Sequence, residues 1–274
     1  MTRTTRTIIV ITNLEVDINE LYEIIPITPY TPPVKQKGRR KKGVVIQEPV
    51  LESGSIISAK YAGKCKGHSS KKSKTAFKNS VTIVMDVDGK KVNFKLSKSG
   101  RFQVTGNNSD DRILSCVKVM WNLIRENKSI YKINGPVLEA TMWPSMENFK
   151  TNIGFRLDRQ SLNTYVNTCT EYISVFETSS GSASVNIKMP LEFDDIDLGR
   201  VVEKPDGTWE KSTVLYSDFV ASISGKLTKK EGRYVSFLVF HTGEVIMTSM
   251  TESIMEPYFN KFMEIIGDCR DIII

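Results

Sequence analysis

Residues 234–248 read YVSFLVFHTGEVIMT. Alternate residues of a strand share a face, so Leu238 and Phe240 point together before the His241-Thr242-Gly243 turn. Ile246 and Thr248 lie on that same face of the returning strand. Residues 96–106, LSKSGRFQVTG, are a weaker version of the passage, with Gly100 matching Gly243 and Thr105 matching Thr248 at an offset of 143. Further out, Asp17 and Leu21 reappear as Asp158 and Leu162 at an offset of 141, and Phe77 reappears as Phe219 at 142. The chain is therefore written twice. Two copies imply a pseudo-two-fold molecule, which suits a two-fold partner, and duplex nucleic acid is the commonest of these.

Each copy reads as strand, short helix, long excursion, β-hairpin region and amphipathic helix. In the first, TIIVITNL (7–14) is β-branched and reads as a strand, and Asp17 caps a helix that Pro26 interrupts. VVIQE (44–48) and SIISAKY (55–61) are short strand candidates. Asp88-Gly89 and Ser99-Gly100 mark the turns of a three-strand meander. Ile113, Val117, Met120 and Ile124 then form a helical stripe over 108–127, with Ser109 as its cap. After Gly135-Pro136 the second copy opens with the strand ENFKTNIGFRL (147–157), and Asp158 starts a helix. The meander recurs from DFVAS to VIMTS, with turns near Lys230-Glu231-Gly232 and Thr242-Gly243. A helix over 251–267 closes the copy. The expected domains are 1–135, with a basic excursion over 26–76, and 136–274, with an acidic excursion over 167–217.

Charge divides the copies. Residues 1–137 hold 25 Lys and Arg against 11 Asp and Glu, a net of +14, whereas 138–274 hold 13 against 20, a net of −7. The basic half attracts phosphate and the acidic half repels it. The basic runs GRRKKG and GKCKGHSSKKSK read as solvated loops, with phosphate contact or nuclear targeting as the alternative. No apolar run approaches the roughly 20 residues of a membrane span, so an intracellular, membrane-free protein is expected. Four cysteines without a CxxC and only two histidines make a zinc site unexpected and free thiols the simpler reading. No phosphate-binding Gly-rich loop, Gly-x-Ser-x-Gly or HExxH is present, so neither catalysis nor a cofactor is expected. Asp86 and Asp88 suit turn chemistry better than a metal, and His241 suits a surface turn.

The helix after each meander can cover only one face of its sheet. If the face bearing Leu238, Phe240, Ile246 and Thr248 is buried, these residues are core. If it is open, it is an apolar patch that needs a partner.

The repeated order of strand, helix, meander and helix resembles that of the TATA-box-binding protein core. FHTGEVIMT resembles that family's F-x-S-G-K-V-V-x-T-G passage, LSKSGRFQVTG resembles its first-copy version, and DFVAS resembles the passage whose Phe opens a strand. The divergence and long excursions resemble the TATA-binding-like proteins of large DNA viruses. The resemblance implies an α+β saddle: two pseudo-symmetric repeats, a curved antiparallel sheet, helices on the convex face and DNA against the concave one. It implies minor-groove binding of A·T-rich promoter DNA with Phe wedges in the base stack. Partners would be duplex DNA and transcription initiation factors or RNA polymerase. The setting would be the nucleus, a viral factory or the virion.

Carried across residue by residue, the resemblance makes Phe219 and Phe240 the second-copy wedges and Phe77 one first-copy wedge. The other first-copy wedge falls at Ser97, or at Leu96 with a one-residue slip. Thr105 and Thr248 match the groove-contacting Thr. Ile246, with Leu238 beside it, matches the apolar contact, and Gln103 stands in that position in the first copy. Asn148 matches the Asn that bonds central base edges, with Thr7 as its first-copy counterpart. The phosphate-facing Lys is matched by Arg101 but by Glu244 in the second copy, where a carboxylate repels phosphate. Apart from the resemblance, the minor groove at A·T pairs offers mainly acceptors, and a flat apolar face carrying Thr and Asn suits it. The rival expectation is a saddle that no longer bends DNA and serves as a protein-interaction platform.

Overall fold

The computed structural model describes residues 1–32, 49–68, 78–106, 109–177, 183–192, 195–223 and 233–274. Phe77 and the strand expected at 44–48 lie outside them.

β1 (Thr2–Thr12) and β2 (Leu14–Val16) lead into α1 (Ile18–Ile24), which Asp17 caps by accepting from the Asn19 and Glu20 N–H groups. β3 (Ile56–Tyr61) and β4 (Lys64–Gly67) form a hairpin. β5 (Ser80–Val87), β6 (Lys90–Ser97) and β7 (Phe102–Thr105) are the expected meander. Its Asp88-Gly89 turn has φ of 52° and 72°, the left-handed pair that a tight two-residue hairpin turn requires. α2 (Asp110–Arg125) follows, capped by Ser109, and β8 (Tyr131–Ile133) pairs with β2. Next come β9 (Glu139–Asn152), α3 (Arg159–Cys169) capped by Asp158, β10 (Ile173–Glu177), β11 (Ser184–Pro190), β12 (Asp197–Glu203) and β13 (Trp209–Leu215). α4 (Tyr216–Ser222), β14 (Tyr234–Phe240), β15 (Glu244–Ser249), α5 (Glu252–Asp268) capped by Thr251, and α6 (Arg270–Ile273) complete the chain.

The architecture is α+β, with antiparallel sheet and helices as expected. The chain divides into two compact units, residues 9–142 with 201–211, and residues 1–8 with 143–200 and 212–274. We call them the first-copy and second-copy units. They differ from the expected 1–135 and 136–274 because the copies trade segments. Residues 1–8 belong with the second copy, where Arg3 and Arg6 pair with Glu147. Residues 201–211 belong with the first, where Glu203 accepts from Trp121 Nε1 at 2.7 Å and Arg125 Nη1 at 2.9 Å.

In the first-copy unit the strand order is β1-β7-β6-β5-β3-β4. Val92, Phe94 and Leu96 of β6 and Phe102 and Val104 of β7 are buried, as are Ile113, Val117, Met120 and Ile124 of α2, which packs on β5 and β6. In the second-copy unit the order is β10-β11-β14-β15-β9. Val235, Phe237 and Val239 alternate into the core with Val245 and Met247, and Phe237 stacks on Phe262 of α5 at 4.6 Å.

Matched hydrogen bonds reproduce the repeat at backbone level. The Val16 and Leu157 N–H groups donate to the Lys98 and His241 carbonyls, and those of Asp17 and Asp158 donate to Ile130 and Ile273. Gly100 and Gly243 donate to Ser97 and Phe240. Both glycines have positive φ, 65° and 82°, and a Cβ on either would stand 2.4 or 2.2 Å from the carbonyl oxygen of Leu14 or Phe155. Only glycine fits so close an approach.

Three sequence expectations are corrected. β9 begins at Glu139 and ends at Asn152, not 147–157; Pro144 within EATMWPSM disguises its first half. The acidic excursion over 167–217 contains β10 and β11, which occupy the sheet positions that β3 and β5 hold in the first copy. The third correction concerns DFVAS, which is helical in α4 and not the opening of a strand.

Candidate nucleic-acid interface

In the second-copy unit the sheet face opposite Phe237 and Met247 carries half-buried side chains. Leu238 stands opposite Ile246, Ser236 opposite Thr248, and Thr248 opposite Asn148. Leu238, Phe240, Ile246 and Thr248 thus share one open face, as their alternation requires. The Asn148 side chain links strands: its Nδ2 donates to Thr5 Oγ1 and its Oδ1 accepts from Thr248 Oγ1, both at 2.8 Å. Thr4 Oγ1 donates to the Asn148 carbonyl at 3.0 Å. These bonds fix a row of small polar groups beside the apolar Leu238 and Ile246.

β11 and β10 extend this face. Asn186 lies opposite Leu238 and Ser184 opposite Phe240, while Val175 lies opposite Asn186. Ile173 and Val175 are 53% and 46% exposed. The Asn186 Oδ1 is buried without a hydrogen-bond partner among the described residues. Such an acceptor costs about 1–3 kcal/mol. Glu244, the departure from the expected basic residue, forms an ion pair with Lys150 across the sheet. The pair reduces the repulsion that a lone carboxylate would exert on a phosphate.

The first-copy open face is polar and basic. Gln103, Thr105, Arg101 and Asn93 are exposed, and Lys95 and Ser97 are half-buried. Lys95 stands opposite Gln103 and Asn93 opposite Thr105. Ser97 occupies the place of Phe240, since each accepts from the N–H of its copy's turn glycine. Leu96 is 0% exposed in the core, so of the two alternatives Ser97 is the one on the open face.

Two candidates are displaced. Phe219 sits on α4 and packs against Trp143 with ring centroids 6.0 Å apart, so it is not on the open sheet face. Its wedge assignment assumed that DFVAS was a strand, whereas Tyr216 and Val220 are buried one helical turn apart. Thr7 is only 8% exposed, so its hydroxyl is closed off, and Thr5 is the residue that meets Asn148. Phe77 lies outside the described residues.

Burial pushes the Glu147 carboxyl up, and Arg6 and Arg3 pull it back toward the ordinary range. Burial also raises the thiols of Cys116 to about 12 and Cys269 to about 11, which keeps both as unreactive core residues. Among the described residues no group of three or more His, Cys, Asp or Glu side chains is placed to hold a metal ion. No described helix is long and apolar enough to cross a membrane.

No family model matches the chain. It is 24% identical over 256 residues to uncharacterized protein 335L of Invertebrate iridescent virus 6, covering 89% of this chain and 71% of that protein. A solved structure described as Methanococcus jannaschii TBP aligns with a TM-score of 0.41 at 13% identity, covering 97% of this chain and 98% of that one.

Thr5, Ser184, Asn186, Ile173 and Val175 escape the sequence reading. Alternation in SVNIKMP (184–190) was a usable signal for β11, masked by the acidic residues that follow it. Thr5 has no local signal, since only the pairing of β1 with β9 brings it to Asn148.

Proposed function

We propose that this chain is a DNA-binding protein of transcription initiation that engages A·T-rich promoter duplex through the minor groove. The observation that carries the reading is the open face of the second-copy unit, where Leu238, Phe240 and Ile246 lie beside the bonded Thr5–Asn148–Thr248 row. A duplex edge that presents acceptors and no amino group fits such a face, whereas the protruding amino group of guanine meets apolar surface. Phe240 is the one family-matched wedge on that open face, and its ring is the group proposed to enter the base stack. In the first-copy unit, Arg101, Lys95, Gln103 and Thr105 suit phosphate and sugar contacts, with Ser97 replacing a wedge. The reading extends to recruitment of initiation factors or RNA polymerase, in the nucleus, a viral factory or the virion.

The test is a gel-shift and bending measurement on A·T-rich and G·C-rich duplexes of equal length. Tighter binding to A·T-rich duplex with steep salt dependence is the expected result. Equal, salt-independent binding to both would overturn it. That outcome would favour a protein-interaction platform, which the exposed Ile173 and Val175 and the Lys150–Glu244 pair support.

A further inference from the structure

The helix side of the second-copy unit carries a groove of about 320 Å³, where α5, the end of β11 and the turn between α3 and β10 meet. Its walls are two tyrosines, Tyr172 and Tyr258, and two prolines, Pro190 and Pro257. The tyrosines are half-buried and the prolines exposed. Tyr258 is fixed in place: its hydroxyl donates to the Pro190 or Glu192 carbonyl oxygen, at 2.9 and 2.8 Å, and accepts from the Glu192 N–H at 2.6 Å. Pro257 stands inside α5, where it costs the helix a hydrogen bond. Glu171, Glu192 and Lys261 form the exposed rim. Lys261 already has partners there. Its Nζ lies 5.7 Å from the Tyr172 ring centroid, and the Tyr172 hydroxyl and both carboxylates hold the ammonium charged. The rim still sets two negative charges against one positive, in a half of the chain that carries −7. Counted from the caps Ser109 and Thr251, Pro257, Tyr258 and Lys261 correspond to Ser115, Cys116 and Val119 of α2. The groove walls are therefore peculiar to one copy and do not follow from the repeated fold.

We propose that this groove binds a proline-rich segment of a partner protein that also carries arginine or lysine. A proline-rich segment arrives as a preformed extended helix, and grooves lined by aromatic rings recognise it. Proline presents carbonyl acceptors and no N–H. Lys261 supplies donors to such carbonyls, because one bond to Tyr172 does not exhaust the three hydrogens of an ammonium. The excess of carboxylate at the rim selects a cation beside the prolines. The same carboxylates repel the phosphates of a nucleic acid, and a purely apolar segment would strip water from them without replacing it. The volume is at the small end of the range of about 300–1,000 Å³ for ligand sites, which admits a short segment and not a folded domain.

The inference goes beyond duplex binding and stands apart from it, because α5 packs on the sheet face opposite Leu238 and Phe240. The full chain is titrated by calorimetry with three blocked peptides of equal length, built from Pro-Pro-Arg, Pro-Pro-Glu and Gly-Ser-Arg repeats. The Pro-Pro-Arg peptide is expected to bind at least about tenfold tighter than either control. Tyr172→Ala is expected to weaken it about tenfold. Glu171→Gln with Glu192→Gln should cut the preference over Pro-Pro-Glu to about threefold or less, with unchanged melting. Pro257→Ala, which returns a hydrogen bond to α5 and so does not endanger folding, should weaken the peptide about threefold. Equal binding of Pro-Pro-Arg and Gly-Ser-Arg would mean attraction by charge alone and overturns the proposal. Equal binding of Pro-Pro-Arg and Pro-Pro-Glu overturns it too, as does no binding up to about 1 mM or wild-type binding by all the variants. Each of these failures leaves an A·T preference for duplex standing, and the Glu192→Gln protein should shift A·T-rich duplex as the wild type does.

Discussion

Gly243 and Phe240 occupy one turn and meet different demands. The glycine is dictated by the backbone: φ is +82° and a Cβ would stand 2.2 Å from the Phe155 carbonyl oxygen. Gly243→Ala is therefore expected to destabilise the chain by at least about 2 kcal/mol in chemical denaturation. Gly89→Ala, also at positive φ but with nothing near its Cβ, should cost about 1 kcal/mol. Equal losses would refute the role of the carbonyl contact. Phe240 is half-buried on the open face, so Phe240→Ala should leave the melting temperature nearly unchanged. In a gel shift it is expected to weaken A·T-rich duplex binding about tenfold. Unchanged affinity and bending would remove Phe240 from the interface. Residue identity was enough to find both positions, because a turn glycine and its alternating neighbours are local features. It could not find Thr5, whose partner Asn148 is distant in sequence, or place Phe219 on a helix against Trp143.

Helix starts were legible for the same reason. Asp17, Ser109, Asp158 and Thr251 each accept a hydrogen bond from the first turn of the helix they precede. Hydrogen bonds from Ser161 hold the Asp158 carboxyl below its ordinary value. A depressed folded value means that the stabilisation is present above the unfolded value of about 3.9 and is lost as pH falls through the folded one. Asp158→Ala should cost about 1 kcal/mol at neutral pH, and the difference from wild type should shrink in acid denaturation below about pH 4. A difference independent of pH would count against the carboxylate as the cap. The strand inventory was less legible. β10, β11, β12 and β13 are short and sit among acidic residues, so one apparent excursion hid four strands. The tie between β12 and α2 had no sequence signal, since Glu203, Trp121 and Arg125 are drawn from separate elements. Glu203→Ala leaves the Trp121 N–H without its acceptor, while Arg125 keeps Glu126 and solvent, and a loss of about 2 kcal/mol in urea unfolding is expected. A neutral result would mean that solvent satisfies the Trp121 N–H as well.

The charge division of the sequence, +14 against −7, matches two open faces of different character. One is basic and hydrogen-bonding, the other apolar with a fixed polar row and its carboxylate neutralised by Lys150. The proposed function therefore predicts unequal salt behaviour. Arg101→Ala should flatten the dependence of log affinity on log salt by about one unit, whereas Leu238→Ala should lower affinity while leaving that slope unchanged. Equal slopes for wild type and Arg101→Ala would remove Arg101 from phosphate contact.

The traded segments, residues 1–8 and 201–211, also bear on inheritance. A fresh duplication leaves two interchangeable cassettes, either of which can be lost, swapped or borrowed by recombination. Here a crossover at 135/136 would deliver one cassette without the half-strand that carries Arg3 and Arg6, and the other without Glu203. Each cassette would lack a segment of its compact unit, so losing one copy is expected to remove ion-pair and hydrogen-bond partners from the other.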